Sequence, residues 1–146
     1  METASTYAPQ RADLNPSARH VVLVVDEDIE TSSRSAMALS AQGWHAIVTN
    51  DPLTAASIAR DLPIDVLVTD LDMPRMSGVE LAGVVRVHHV DLPVVVVSGT
   101  PLSQPPMVEP PFTFLAKPFR LQALVDVLDS LGGSDDDARI QRVSGL

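Results

Sequence analysis

Five acidic side chains, one hydroxyl and one lysine stand where short apolar runs of this chain come to an end. Val24-Val25 run into Asp26-Glu27-Asp28, Val68-Thr69 into Asp70-Leu71-Asp72, Val97 into Ser98, and Leu115-Ala116 into Lys117-Pro118. Carboxylates gathered from two segments repel one another unless a cation lies among them. Oxygen ligands with no nearby His or Cys favour Mg²⁺ or Mn²⁺ over zinc. Lys117 offers a mobile ammonium to a phosphoryl oxygen, and Ser98 a hydroxyl donor.

These residues act together only if the apolar runs lie side by side. Five runs rich in β-branched or aromatic residues are read as strands: His20 to Val25, Trp44 to Val48, Asp65 to Asp70, Pro93 to Ser98 and Phe112 to Ala116. Helical patterns alternate with them, the signature of a parallel sheet covered on both faces. In such a sheet the ligand site lies beyond the carboxyl ends of the strands, where the polar residues fall.

The helices carry start and stop signals. Asp51-Pro52 supplies an N-cap and a preset first position, with Ala55, Ile58, Ala59 and Leu62 on one face. Ser77 and Glu80 have capping-box spacing, with Leu81, Val84, Val85 and His88 as the inward stripe. The last helix follows Lys117-Pro118 and repeats Leu121, Leu124, Val125, Leu128 and Leu131 before Gly132. A first helix, from about Asp28 to Gln42, presents Ile29, Ala36, Met37 and Ala41. Between the fourth and fifth strands lie Pro101, Pro105, Pro106, Pro110 and Pro111, and no proline-free stretch there exceeds three residues. Proline removes a backbone donor and pushes its predecessor out of the α region. An extended, polyproline-like loop over 101–111 is expected in place of a helix.

Val-Val-Asp-Glu-Asp at 24–28, Val-Thr-Asp-Leu-Asp-Met-Pro at 68–74 with Ser77-Gly78 following, Val-Ser-Gly at 97–99, and Lys117-Pro118-Phe119 occur in order at successive strand ends. In this the chain resembles a response-regulator receiver domain of two-component signalling, over roughly residues 20–131. The resemblance implies a flavodoxin-like, doubly wound five-stranded parallel sheet of order 2-1-3-4-5, here with the fourth helix missing or reduced. It implies that Asp70 takes a phosphoryl group from a phosphohistidine. Asp26, Glu27 and Asp70, with the backbone carbonyl of Asp72, would hold Mg²⁺ (or Mn²⁺), while Ser98 and Lys117 grip the phosphoryl oxygens. Ser98 and the aromatic Phe114 would move together as the switch, although Phe114 lacks the phenolic hydroxyl of many relatives. The implied partners are a sensor histidine kinase or histidine phosphotransfer protein and an unidentified downstream protein, and a homodimer is left open. The proline-rich segment makes the output face atypical.

At 146 residues the chain suits one core with tails: an arm over 1–19, the domain over 20–131 and an acidic tail over 132–146. A net charge of −9 with only ten scattered basic residues argues against nucleic acid as a partner. The absence of cysteine excludes disulfides, thiolate metal sites and a cysteine nucleophile. The first twenty residues hold no apolar stretch of the kind a secretory signal needs, and no apolar run approaches the ~20 residues of a membrane span, so a soluble, cytoplasmic protein is expected. His88-His89 reads as a helix-end pair, His45 as a strand-edge residue, and His20 as a junction residue. Gly78 and Gly83 have phosphate-loop spacing, but Val84 and Val85 follow where Lys and Ser or Thr are required.

The leading expectation is therefore a single-domain signalling switch that turns over no metabolite. Two alternatives compete with it. One is a phosphorylation-independent interaction module of the same fold. The other is a phosphatase of the haloacid-dehalogenase type, suggested by Asp70-Leu71-Asp72 but opposed by Pro74 and by the lack of room for a cap.

Overall fold

The computed structural model describes residues 20–100 and 108–131. Its elements run β1 (His20–Val25), α1 (Ile29–Ser40), β2 (Trp44–Thr49), α2 (Pro52–Asp61), β3 (Val66–Asp70), α3 (Gly78–Val85), β4 (Val94–Ser98), β5 (Phe112–Ala116) and α4 (Leu121–Ser130). The five strands form one sheet of order β2-β1-β3-β4-β5. Every pairing is parallel. This is the flavodoxin-like order expected from the sequence.

The valine-rich runs explain the layout. Every residue of β1, β3 and β4 is buried, as strands covered on both faces must be. The edge strand β5 is only partly covered. One core cluster gathers Leu23, Val25, Ile58, Leu67, Leu81 and Val96 under α2 and α3, and the other gathers Val22, Leu39, Val68, Val95, Leu124 and Leu128 under α1 and α4. Fully burying a leucine of this kind is worth about 1.5–3 kcal/mol, enough to hold helices of eight to twelve residues that would not persist alone.

The helix starts fall where capping chemistry puts them. Asp51 accepts from the backbone N–H groups of Leu53 and Thr54, and Ser77 and Glu80 make both bonds of a capping box. The stripe of α2 is buried as expected. The α4 stripe buries Leu124, Val125 and Leu128 but leaves Leu121 exposed and Leu131 half-buried, and the other two stripes depart further. In α1, Ile29 and Met37 are exposed, and Ser32, Ser35 and Leu39 are buried instead. Small side chains let α1 lie close on the sheet, and Ser32 satisfies its hydroxyl by donating to the Ile29 carbonyl at 3.1 Å. In α3, Leu81, Ala82 and Val85 face inward while Val84 is exposed, and the helix stops before His88. His89 reaches back to the Ala59 carbonyl at 2.6 Å, tying the α3–β4 connection to α2. His20 is not a junction residue: it opens β1, is buried, and its ring lies 5.6 Å from that of Trp44.

The proline-rich loop expected over 101–111 lies outside the described residues through position 107. Residues 108–111 are not helical, and no helix is described between β4 and β5. What holds this side of the sheet is Arg86, at the C-terminal end of α3. Its guanidinium donates to the carbonyls of Leu92, at 2.7 and 3.0 Å, of Pro111, at 2.8 Å, and of Glu109. One planar fork thus fastens α3 to the segments leading into both β4 and β5. An ammonium cannot span these three acceptors. Arg86→Lys, which keeps the charge, is expected to lower stability by about 2 kcal/mol in urea unfolding and to speed hydrogen exchange at the β5 amides.

Candidate functional site

The central strands β1 and β3 pair with Val25 opposite Thr69, so the next residues, Asp26 and Asp70, emerge side by side at the carboxyl end of the sheet. Here the chain winds away on both sides, from β1 to β2 and from β3 to β4, which is the topological switch point of an open α/β sheet. Both carboxylates are buried, Asp26 to 5% exposure and Asp70 to 8%. Lys117 follows β5 and returns across the top of the sheet. Its Nζ donates to Asp26 Oδ2 at 2.8 Å and stands 3.8 Å from Asp70 Oδ2.

The backbone around Asp70 is fixed from several directions. Leu71 N–H donates to the Val97 carbonyl at 2.7 Å, Gly78 N–H donates to Leu71 at 2.8 Å, and the buried Thr69 hydroxyl donates to the Asp70 carbonyl at 3.0 Å. Gly78 packs so closely on the Asp70 carbonyl that a Cβ there would overlap its oxygen. The sequence placed Gly78 beside the motif without revealing this contact, because a steric limit between residues eight positions apart leaves no local pattern. Arg75, 3.5 Å from Asp51, ties the same loop to the start of α2.

The other expected residues take distinct positions. Glu27 and Asp72 are exposed beside the buried pair. Asp28 caps α1, accepting from Glu30 N–H at 3.1 Å and from the Thr31 hydroxyl at 2.7 Å. Ser98 is buried at the end of β4, and its hydroxyl is engaged with Thr100 of its own turn rather than with Asp70. Phe114 lies on β5 with 37% of its surface exposed, three residues before Lys117. His88, His89, His45 and His20 are not gathered at this end of the sheet.

The electrostatics follow from crowding. Burial pushes the Asp70 carboxyl up to about 6, the Asp26 charge adds to the rise, Lys117 opposes it, and Asp72 and Glu27 contribute further. Burial works against the charge of Lys117, yet its hydrogen bond to Asp26, with the charges of Asp26, Asp70 and Asp28, holds its pKa above the ordinary lysine value. Among the described residues no three His, Asp or Glu side chains are already gathered as a ready-made metal cage. The donor set nevertheless suits Mg²⁺, which takes one or two carboxylates and keeps several waters. Two adjacent buried carboxylates facing a single ammonium carry surplus negative charge that a divalent ion would neutralise.

Sheet order and strand-end site together define a doubly wound α/β domain with an acidic centre at the carboxyl ends of its strands. The family described as the response regulator receiver domain matches residues 22–129, and the chain belongs to this family. It is 36% identical over 78 residues to response regulator RR06 of Streptococcus pneumoniae, an alignment covering 53% of this chain and 36% of that protein. It is 33% identical over 90 residues to the probable transcriptional regulatory protein TcrX of Mycobacterium tuberculosis, covering 62% of this chain and 37% of the relative. The chain thus spans little more than a third of either. The receiver domain of the hybrid histidine kinase CckA superposes with a TM-score of 0.68 at 27% identity, covering 76% of this chain and 97% of that one. The receiver domain of the sensor histidine kinase PA1611 from Pseudomonas aeruginosa, solved with magnesium coordinated in its active-site cleft, superposes at 0.70 with 20% identity, covering 80% of this chain and all of that one.

Two outcomes test this geometry. Gly78→Ala is expected to cost about 1–3 kcal/mol in urea unfolding, because the added methyl must displace the Asp70 backbone or α3. The raised Asp70 pKa means that the folded protein binds a proton more tightly than the unfolded chain does. Stability in EDTA should therefore fall as pH rises from about 4 through about 6. Asp70→Asn lacks this loss, so its advantage over wild type should grow by on the order of 2 kcal/mol between pH 4 and 7.5.

Proposed function

We propose that this domain accepts a phosphoryl group from the phosphohistidine of a sensor kinase or phosphotransfer protein onto Asp70, and signals by a phosphorylation-dependent change in protein–protein contacts. The observation that carries the reading is the meeting of the Asp70 and Asp26 carboxylates at Lys117 Nζ, 2.8 Å from Asp26 and 3.8 Å from Asp70. An Asp70 oxygen attacks phosphorus, the bond from phosphorus to the imidazole nitrogen breaks, and an acyl phosphate forms. The released imidazole takes up a proton from solvent.

The chain's own groups act chiefly by position and charge. Lys117, already within 3.8 Å of the reacting carboxylate, shifts from Asp26 toward an incoming phosphoryl oxygen. Ser98 can exchange its bonds within the Thr100 turn for a second phosphoryl oxygen, and the exposed Phe114 can repack as that turn moves. Asp26, Glu27, Asp70 and the Asp72 carbonyl would hold Mg²⁺. When bound, the ion neutralises charge building on the phosphoryl oxygens. Membership in the receiver family favours this reading over a dehalogenase-type phosphatase, and the domain turns over no metabolite. Cytoplasmic location is part of the same proposal, since the phosphohistidine donor must be reachable; no described helix is long and apolar enough to cross a membrane.

Incubation with Mg²⁺ and acetyl phosphate, followed by intact-mass analysis, should give one adduct of about 80 Da on wild type and none on Asp70→Asn. Lys117→Ala should accept the group at least tenfold more slowly, and EDTA should abolish the reaction. An adduct of equal yield on Asp70→Asn would overturn the assignment. No adduct on either protein would favour the phosphorylation-independent module.

A further inference from the structure

The buried Asp26 carboxylate is engaged at both of its oxygens. Oδ2 accepts from Lys117 Nζ at 2.8 Å, and Oδ1 accepts from the backbone N–H of Asp28 at 2.9 Å. The second bond closes a local turn, in which an Asp side chain accepts from the amide two residues on. Asp28 repeats the arrangement. Its carboxylate accepts from Glu30 N–H at 3.1 Å and from the Thr31 hydroxyl at 2.7 Å, and its carbonyl accepts from Ser32 N–H at 3.2 Å as α1 begins. Two acids in alternation thus join the end of β1 to the first turn of α1, with the exposed Glu27 between them.

The two bonds on Asp26 have different fates. In the function proposed above, Lys117 leaves Asp26 for a phosphoryl oxygen, which releases Oδ2 to a cation. The Asp28 amide has no such freedom, because it belongs to a backbone that Asp28 and Thr31 fix by capping α1. With Oδ1 tethered there, the carboxylate cannot turn about its last bond without breaking a hydrogen bond. Oδ2 therefore keeps its place when the ammonium moves. Asp28 is exposed and Thr31 only half-buried, so neither side chain is part of the core.

We propose that Asp28 and Thr31 are positioning residues of the phosphorylation site: their cap holds the Asp28 amide on Asp26 Oδ1 and so keeps Asp26 aimed at the cation. Neither side chain touches the ion or the phosphoryl group. Side chains that orient a metal ligand in this way are commonly worth roughly 10- to 100-fold in affinity. The inference rests on the function proposed above.

Mg²⁺ titrated into the ¹⁵N-labelled full chain, with no phosphodonor present, supplies the test. Asp28→Ala and Thr31→Val should each bind the ion about tenfold more weakly than wild type, and in both the amide proton at position 28 should move upfield as its bond to Asp26 loosens. Asp28→Asn keeps a capping oxygen without the charge, and Thr31→Ser keeps the hydroxyl, so both should bind within about threefold of wild type. Met37→Gly, at an exposed position far along α1, is the control for helix stability, because glycine weakens a helix about as much as a lost cap does. It should bind like wild type. Unchanged affinity in Asp28→Ala and Thr31→Val would overturn the proposal. Equal weakening in Met37→Gly would overturn it in favour of helix stability alone, and equal weakening in Asp28→Asn would assign the effect to the Asp28 charge instead. The expected ranking of Mg²⁺ affinities, with no adduct forming from acetyl phosphate, would overturn the function proposed above and leave the positioning intact.

Discussion

Two carboxylates that would rather be apart are pressed together, and one ammonium answers both. Asp26 and Asp70 are held by strands whose remaining residues are apolar and covered on both faces, so neither strand can withdraw its acid into water without exposing its valines. The hydrophobic term enforces the repulsion, and the repulsion in turn readies the site. A buried carboxyl with a raised pKa and a shared lysine gains more from a cation and a phosphoryl group than a solvated aspartate would.

Much of the remaining structure limits how this strain can be relieved. Gly78 blocks the Asp70 backbone from rising, the Leu71 bonds fix the turn beyond it, and Arg75 ties the loop to α2. The carboxyl end is therefore rigid about Asp70, while the Ser98 hydroxyl bonds only within its own turn, to Thr100. At the opposite end of the sheet, Arg86 gathers the segments leading into β4 and β5. Strand β5, which carries Phe114 and leads into Lys117, is anchored below by that guanidinium and above by the Lys117–Asp26 pair.

The strands, their parallel arrangement and the residues at their ends were legible because each depends on local composition, a short apolar run, a polar stop, a cap, while the strand order came from the family resemblance. The capping residues Asp51 and Ser77 were legible for the same reason. The inward face of α1 was not. Periodicity read for large apolar residues selects Ile29 and Met37, whereas close approach to the sheet selects Ser32 and Ser35, whose small volume matters more there than their polarity. The α3 stripe failed at Val84 because that residue sits to one side of the face that buries Leu81, Ala82 and Val85, and at His88 because the helix ends at Val85.

By itself the sequence determined which side chains stand at the carboxyl ends of the strands, since alternation of apolar runs with helical patterns leaves them no other place. Only the tertiary structure decided which of them meet. Lys117 and Asp26 are 91 residues apart and join because β1 lies centrally and β5 closes the edge. The burial that raises the Asp70 pKa and the overlap awaiting a Cβ at Gly78 both arise between distant segments. Electrostatics and steric exclusion act through space, and a linear pattern records only what acts along the chain.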